Sequence, residues 1–154
     1  MGGVSFRKAQ IIDAQTLCDW WNDGNIMAHA GFPNGIGTIV ADVEEQITNW
    51  GDDGFYIIEL DGKPVGEMHY RDKGDKVADI GIKVCDFNLH GKGVGSSALT
   101  LLIHHIWDKG FEKIIVNCNT KNAAGNALYR KVGFIFTHTE ENAWTDPAGV
   151  VHNL

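Results

Sequence analysis

Asp79-Ile80-Gly81-Ile82-Lys83-Val84-Cys85-Asp86-Phe87-Asn88-Leu89-His90-Gly91-Lys92-Gly93-Val94-Gly95-Ser96-Ser97 reads as a strand that runs through a glycine-rich turn into a helix. Glycines at 91, 93 and 95 remove Cβ atoms where a backbone must come close to a ligand. The unpaired N–H groups of a first helical turn point outward with the positive end of the helix dipole. A pyrophosphate meets that demand. A turn shaped only for helix packing is the plainer reading of the same residues.

Spacing separates the phosphate-binding motifs that compete for this turn. Lys92 lies between glycines with no Gly-Lys-Ser/Thr ending, so it is not a Walker loop. Gly93-Val94-Gly95-Ser96-Ser97-Ala98 satisfies the loose dinucleotide fingerprint. That fold, however, carries its motif after the first strand with an acidic residue at the end of the next, and here Cys118-Asn119 stands where the acid belongs.

Outward from the turn, Phe55–Leu60 and Val65–Arg71 are strand-like and joined by Asp61-Gly62-Lys63-Pro64, with Lys76–Cys85 following as the third run of an antiparallel meander. Beyond Gly93, Val94, Ala98, Leu99, Leu102, Ile103 and Ile106 recur on one helical face that Gly110 stops, near Lys109. Lys113–Cys118 reads as a buried strand, Asn122–Lys131 as a helix closed by Gly133, and Phe134–His138 as another strand. Gly149–Asn153 reads as a further strand in the tail. Upstream, Phe6–Ile12 is predicted as a strand and Asp13 as the cap of a helix running through Trp20-Trp21. Asn25–Gly37 is predicted as an irregular loop, and a short helix capped near Asp42 ends at Trp50-Gly51.

At 154 residues, with 44% apolar and 21% charged side chains, the chain suits one folded domain, 1–154, and fits neither disorder nor a coiled coil. No apolar run approaches a bilayer's thickness and the start lacks the apolar stretch of a signal peptide, so the expectation is a cytoplasmic protein with no membrane partner. Three scattered cysteines, Cys18, Cys85 and Cys118, read as reduced structural thiols. A net charge of −7 argues against nucleic acid and is compatible with a cationic substrate, though solubility alone explains it too. His104 and His105, adjacent on one helix, point apart, and no metal site is expected.

The third reading of the turn is a cradle for coenzyme A, and here the sequence resembles the GNAT superfamily of acyl-CoA-dependent N-acetyltransferases. That family's first motif has Gln or Arg, two variable residues, then Gly-x-Gly or Gly-x-Ala. His90-Gly91-Lys92-Gly93-Val94-Gly95 matches it with His90 in the Gln/Arg position. Asn122-Ala123-Ala124-Gly125-Asn126-Ala127-Leu128-Tyr129-Arg130-Lys131-Val132-Gly133-Phe134 looks like the family's Asn-to-Leu-Tyr-x-Lys-x-Gly-Phe helix. Trp20-Trp21-Asn22-Asp23 and Ile80-Gly81-Ile82 with Asp86 look most like the branch of ribosomal-protein N-terminal, polyamine and aminoglycoside acetyltransferases.

The resemblance implies an α/β fold with a mixed, mostly antiparallel central sheet, helices on both faces, and strands splayed at the acetyl-CoA site. It implies acetyl-CoA as co-substrate, with His90, Gly91, Lys92, Gly93, Val94, Gly95 and Ser96 at the pyrophosphate. Val84 and Cys85 then lie at pantetheine through their backbones, and Asn122 and Asn126 lie nearby, with capping of its own helix an equal reading for Asn122. Tyr129 becomes the hydroxyl that meets the departing thiolate. An acyl-cysteine route through Cys85 is the sharper alternative, and ring packing the plainer role for Tyr129. Many relatives pair, so a homodimer is an expectation.

The base for the amine is read from the residues. Alternation places Glu67 and His69 on one face of their strand, and Asp79, Gly81 and Lys83 on one face of the next. If those faces coincide, Glu67 or Asp79 can attract an amine and accept its proton through water, with His69 as another candidate. A solvated face of cross-strand ion pairs is the competing account. Trp20, Trp21 and Phe32 are candidates for the acceptor cavity. The expected acceptor is a peptide or protein N-terminus, with a polyamine, an aminoglycoside or another small-molecule amine next. A non-catalytic acyl-CoA-binding module is the reading from a different class.

Overall fold

The computed structural model describes residues 3–145 and 151–153. Two compact units divide the chain, one of Met1–Ala9 with Trp50–Asn117 and the other of Gln10–Asn49 with Cys118–Leu154. In the first, strands β1 (Val4–Lys8), β2 (Phe55–Leu60), β3 (Lys63–Asp72), β4 (Val77–Val84) and β5 (Lys113–Val116) form one five-stranded sheet in that order. The first three pairings are antiparallel and β4–β5 is parallel. The fold is thus the mixed, mostly antiparallel α/β arrangement expected.

Asp61 and Gly62 turn β2 into β3 with φ of 52° and 83°, the left-handed pair that a two-residue hairpin of matching twist requires. Helix α4 (Val94–Asp108) returns the chain from β4 to β5 and packs on β1 and β4. It buries Val94, Ala98, Leu99, Leu102 and Ile106, one stripe of a 3.6-residue period. Each large apolar side chain there, with Ile58 and Met68 of the sheet, stabilises the fold by about 1.5–3 kcal/mol when fully buried.

A polar cluster clamps the other end of α4. Tyr56 and Tyr70 donate to the two oxygens of Asp53, His105 Nε2 lies 2.9 Å from the Tyr56 hydroxyl, and Lys109 Nζ lies 3.4 Å from Asp53. Burial opposes ionisation of Asp53, but the two phenols and His105 outweigh it and hold its pKa at about 2. Burial and then Asp53 push Tyr70 up to about 12 and Tyr56 further.

In the second unit, α1 (Ala14–Asn22) buries Ala14, Leu17, Cys18 and Trp21. Asp23 accepts from the Asn25 N–H at 2.8 Å to start α2 (Gly24–Met27), and α3 (Val40–Trp50) buries Val43 and Ile47. Helix α5 (Ala123–Lys131) is followed by a short antiparallel pair, β6 (Trp144–Thr145) and β7 (Val151–His152).

Several boundaries differ from the sequence expectations. β1 stops at Lys8 because Gln10 turns its N–H to the Asp13 carboxylate at 2.8 Å, leaving Ile11–Asp13 as a 3₁₀ turn. Asp13 stands at the N-cap position of α1 as expected, but its carboxylate closes that turn and makes no capping bond to α1. The stretch after Asn25 holds helical turns instead of a wholly irregular loop. Phe134–His138 is not a strand: among the described residues no strand pairs with it, and Ile135 and Phe136 are exposed. Of the tail strand, Val151–His152 is formed and Gly149 and Val150 lie outside the described residues. Cys18, Cys85 and Cys118 are free, and no helix among the described residues is long and apolar enough to cross a membrane.

Candidate active site

β4 outruns its parallel neighbour. Pairing with β5 ends at Ile80↔Val116, so Gly81–Val84 continue past the end of β5 before the chain turns toward α4. The turn opens with Asp86, whose carboxylate accepts from the Asn88 N–H at 3.0 Å and starts the 3₁₀ turn Phe87–Leu89. Gly91 and Gly93 then adopt φ of 78° and 83°. A Cβ at Gly91 would meet nothing within 4 Å, so these glycines are required by the backbone's handedness more than by crowding within the protein. The first bond of α4 runs from Ser97 N to Gly93 O at 3.0 Å. The N–H groups of Val94, Gly95 and Ser96 precede it, available to an anion. Lys92 is exposed beside them.

The groups expected at pantetheine are engaged within the first unit. His90 Nε2 lies 3.0 Å from the Val84 carbonyl oxygen, and the Phe87 ring packs edge-on against the imidazole. The Cys85 N–H donates to the Val65 carbonyl at 2.8 Å. Cys85 is 5% exposed, and burial, then Glu67, push its thiol pKa well above the ordinary range. A buried, protonated thiol is the opposite of an activated nucleophile.

The two faces considered for the base do coincide. Across β3 and β4, Glu67 stands opposite Lys83, His69 opposite Gly81 and Arg71 opposite Asp79, giving three successive rows of one half-buried wall. From the Val65–Cys85 contact outward the rows follow in that order. The His69 ring lies over Gly81 and packs on the Trp50 ring at 5.5 Å. Burial, then Arg71 and Lys83, lower its pKa to about 4, so it is neutral at pH 7. The Arg71 guanidinium lies 4.7 Å above the Trp50 ring. Sequence reasoning passed over Trp50 and Arg71 as site residues. Extending the alternation of Glu67 and His69 by one step reaches Arg71, whereas Trp50 comes from a helix end and no strand pattern points to it.

In the second unit, the Asn122 side chain accepts from Gly125 N at 3.0 Å, so Asn122 caps α5. Asn126 donates to the carbonyls of Asn122 and Asn119 at 2.9 and 3.2 Å, and Tyr129 packs edge-on against Phe134 at 5.7 Å. On α1, Trp20 is half-buried and Trp21 buried. Phe32 is half-buried, with its N–H on the Met27 carbonyl. Among the described residues, no group of three or more His, Cys, Asp or Glu side chains is arranged to hold a metal ion.

A family model described as an acetyltransferase (GNAT) domain matches residues 4–135. The mycothiol acetyltransferase of Cellulomonas flavigena is 26% identical over 143 residues, covering 85% of this chain and 41% of that protein. That of Saccharomonospora viridis is 30% identical over 108 residues, covering 63% and 35%. The chain thus spans well under half the length of these curated relatives. Among solved structures, RimL, a ribosomal L7/L12 α-N-protein acetyltransferase in complex with coenzyme A, aligns with a TM-score of 0.84 at 18% identity, covering 99% of this chain and 91% of that one. The aminoglycoside acetyltransferase AAC(6')-Ib with coenzyme A aligns at 0.76 and 22% identity, covering 97% and 92%. These structural likenesses concern the fold.

Proposed function

We propose, because this chain belongs to the GNAT acetyltransferase family, that it moves the acetyl group of acetyl-CoA directly to the primary amine of a peptide or protein N-terminus, residues 1–154 working as one such domain. Acetyl-CoA supplies the activated thioester. The observation that carries this reading is the junction of β4, its left-handed glycines and α4, where N–H groups at 94–96 precede the first helical bond. Backbone amides there suit a diphosphate, with Lys92 adding charge and His90 bracing the turn.

Glu67 or Asp79 takes the proton from the attacking amine through water, leaving a neutral nitrogen for the carbonyl carbon. His69, neutral with a pKa of about 4, is a poor base for an ammonium group and suits a hydrogen-bonding role. Tyr129 gives a proton to the thiolate as the carbon–sulfur bond breaks, a role that rests on its place in the Leu-Tyr-x-Lys motif. Asn122 and Asn126 belong to the cofactor side and Trp20, Trp21 and Phe32 to the acceptor side on the same ground. Protons and charge balance: the ammonium nitrogen gives one proton to the carboxylate before attack and a second as the amide forms, the thiolate leaves with the Tyr129 proton, and water returns a proton to the phenolate.

A wall that alternates Glu67 and Asp79 with Lys83 and Arg71 suits an acceptor of mixed charge better than a polycation. The net charge of −7 is what favours the second reading, a polyamine or aminoglycoside. Acetyl-CoA consumption measured across N-terminal peptides, spermidine and kanamycin separates them, with selective turnover of peptides expected. A chain whose melting point rises with acetyl-CoA while no amine is consumed would be the non-catalytic binding module. Free cysteines accord with a cytoplasmic setting. A homodimer is part of the same proposal, and sedimentation of the purified chain tests it.

A further inference from the structure

Arg71 lies at the outer end of the polar wall, and nothing in the acetyl-transfer chemistry uses it. Its guanidinium carbon lies over the Trp50 ring, 4.7 Å from the centroid, while the residue as a whole is exposed. No carboxylate among the described residues lies within ion-pair distance of it, and Asp79, its register partner on β4, does not close a salt bridge with it. A stacked guanidinium has given up its rotamer freedom in advance. Its five N–H donors form a fixed fork, and the residue is exposed. Such an arrangement costs little further ordering when a carboxylate arrives.

Trp50 is itself fixed. It packs on Phe55 and His69 at 5.5 Å each, and a Cβ at Gly54 would come within 3.2 Å of its ring. The ring beneath Arg71, at the end of α3, is therefore packed against β2 and β3.

Arg71 and Glu67 share one face of β3 and are four residues apart, which is about 13 Å at strand spacing. An extended peptide advances at the same pitch. With its amine beside Glu67, its fourth or fifth residue lies level with Arg71.

We propose that Arg71, lying over Trp50, is a specificity-determining residue that selects N-terminal peptides with an acidic side chain at the fourth or fifth position. This rests on the peptide reading above and narrows it. The overall charge of −7 repels acidic peptides at long range, so selection comes from the short-range fork, and added salt screens the long-range repulsion first.

The test uses the full chain with acetyl-CoA and four pentapeptide amides starting Ser-Ala, carrying Asp at position four, Asp at position five, Lys at position five, or Ala at every remaining position. Spermidine and kanamycin serve as non-peptide amines. One of the Asp peptides is expected to show a kcat/KM at least tenfold above the Lys peptide, mostly through KM. The preference should vanish in Arg71→Gln, read as the ratio of kcat/KM between the Asp and Lys peptides within that variant. Trp50→Leu is expected to weaken the preference part-way, and urea midpoints of both variants verify that they fold. Peptide turnover without an acidic preference, or with one that survives Arg71→Gln, overturns the proposal and leaves the peptide reading standing. Turnover of spermidine or kanamycin with none of any peptide, or of no amine at all, overturns both.

Discussion

The imidazole of His69 occupies the space that a side chain at Gly81 would need: a Cβ there would come 2.4 Å from Cε1 and 2.9 Å from Nε2. The two residues face each other across β3 and β4, so the absent side chain and the buried ring are one packing unit.

Gly81→Ala should therefore force the ring out of place and cost about 1–3 kcal/mol, the range for overpacking. The urea midpoint reports it. Gly81→Ala in a His69→Ala background should cost much less, and equal losses in the two backgrounds would show that ring and glycine are not coupled.

His69 also sets a pH window. Its folded pKa of about 4 lies below the ordinary value of 6.5, so between those pH values the unfolded chain binds a proton that the folded chain does not. Stability is full above pH 6.5 and falls as the pH drops to 4, by about 1–3 kcal/mol. Asp53, with its pKa lowered to about 2, adds a second loss as the pH falls below 4. Urea titrations from pH 7.5 to 3 should show both slopes in the wild type and only the lower one in His69→Gln.

Part of this wall was legible in the chain and part was not. Period-two alternation assigns Glu67, His69, Asp79 and Gly81 to faces, but only the hairpin register decides whether the faces meet. Trp50 ends a helix in the sequence, and joins the wall because the chain doubles back through Gly51–Gly54, which no local pattern encodes. The opposite failure is Phe134–His138, where apolar and aromatic residues favour a strand while pairing depends on a neighbour that sequence does not specify. The junction from β4 to α4 was readable because its determinants are local: glycines that must turn left-handed, then an apolar stripe at helical spacing.

Gly93→Ala tests that junction. At φ +83° with only Ser96 Oγ at 3.9 Å nearby, an added methyl clashes with no neighbour and strains only the backbone, by about 1–2 kcal/mol. Calorimetry should show acetyl-CoA binding weakened about fivefold or more. Gly93→Asn should lose less, because Asn tolerates the left-handed region. Equal binding by all three proteins would separate the turn from the cofactor.

Tyr129→Phe keeps the ring that packs on Phe134 and removes the hydroxyl. A fall in kcat of about 100-fold with the acetyl-CoA dissociation constant within threefold is the expected result for a proton donor. An unchanged kcat would leave Tyr129 a packing residue.

The pairing of β1 with β2 joins Val4–Lys8 to a strand that starts at Phe55, whereas β2, β3 and β4 follow one another through short turns. Closing the long loop is entropically slow, so the local hairpins give refolding its starting point and the amino-terminal strand docks last. Pulse-labelled amides should become protected in β2 and β3 before β1. Early cleavage near the amino terminus would then leave a persistent partly assembled chain in place of a fully unfolded one.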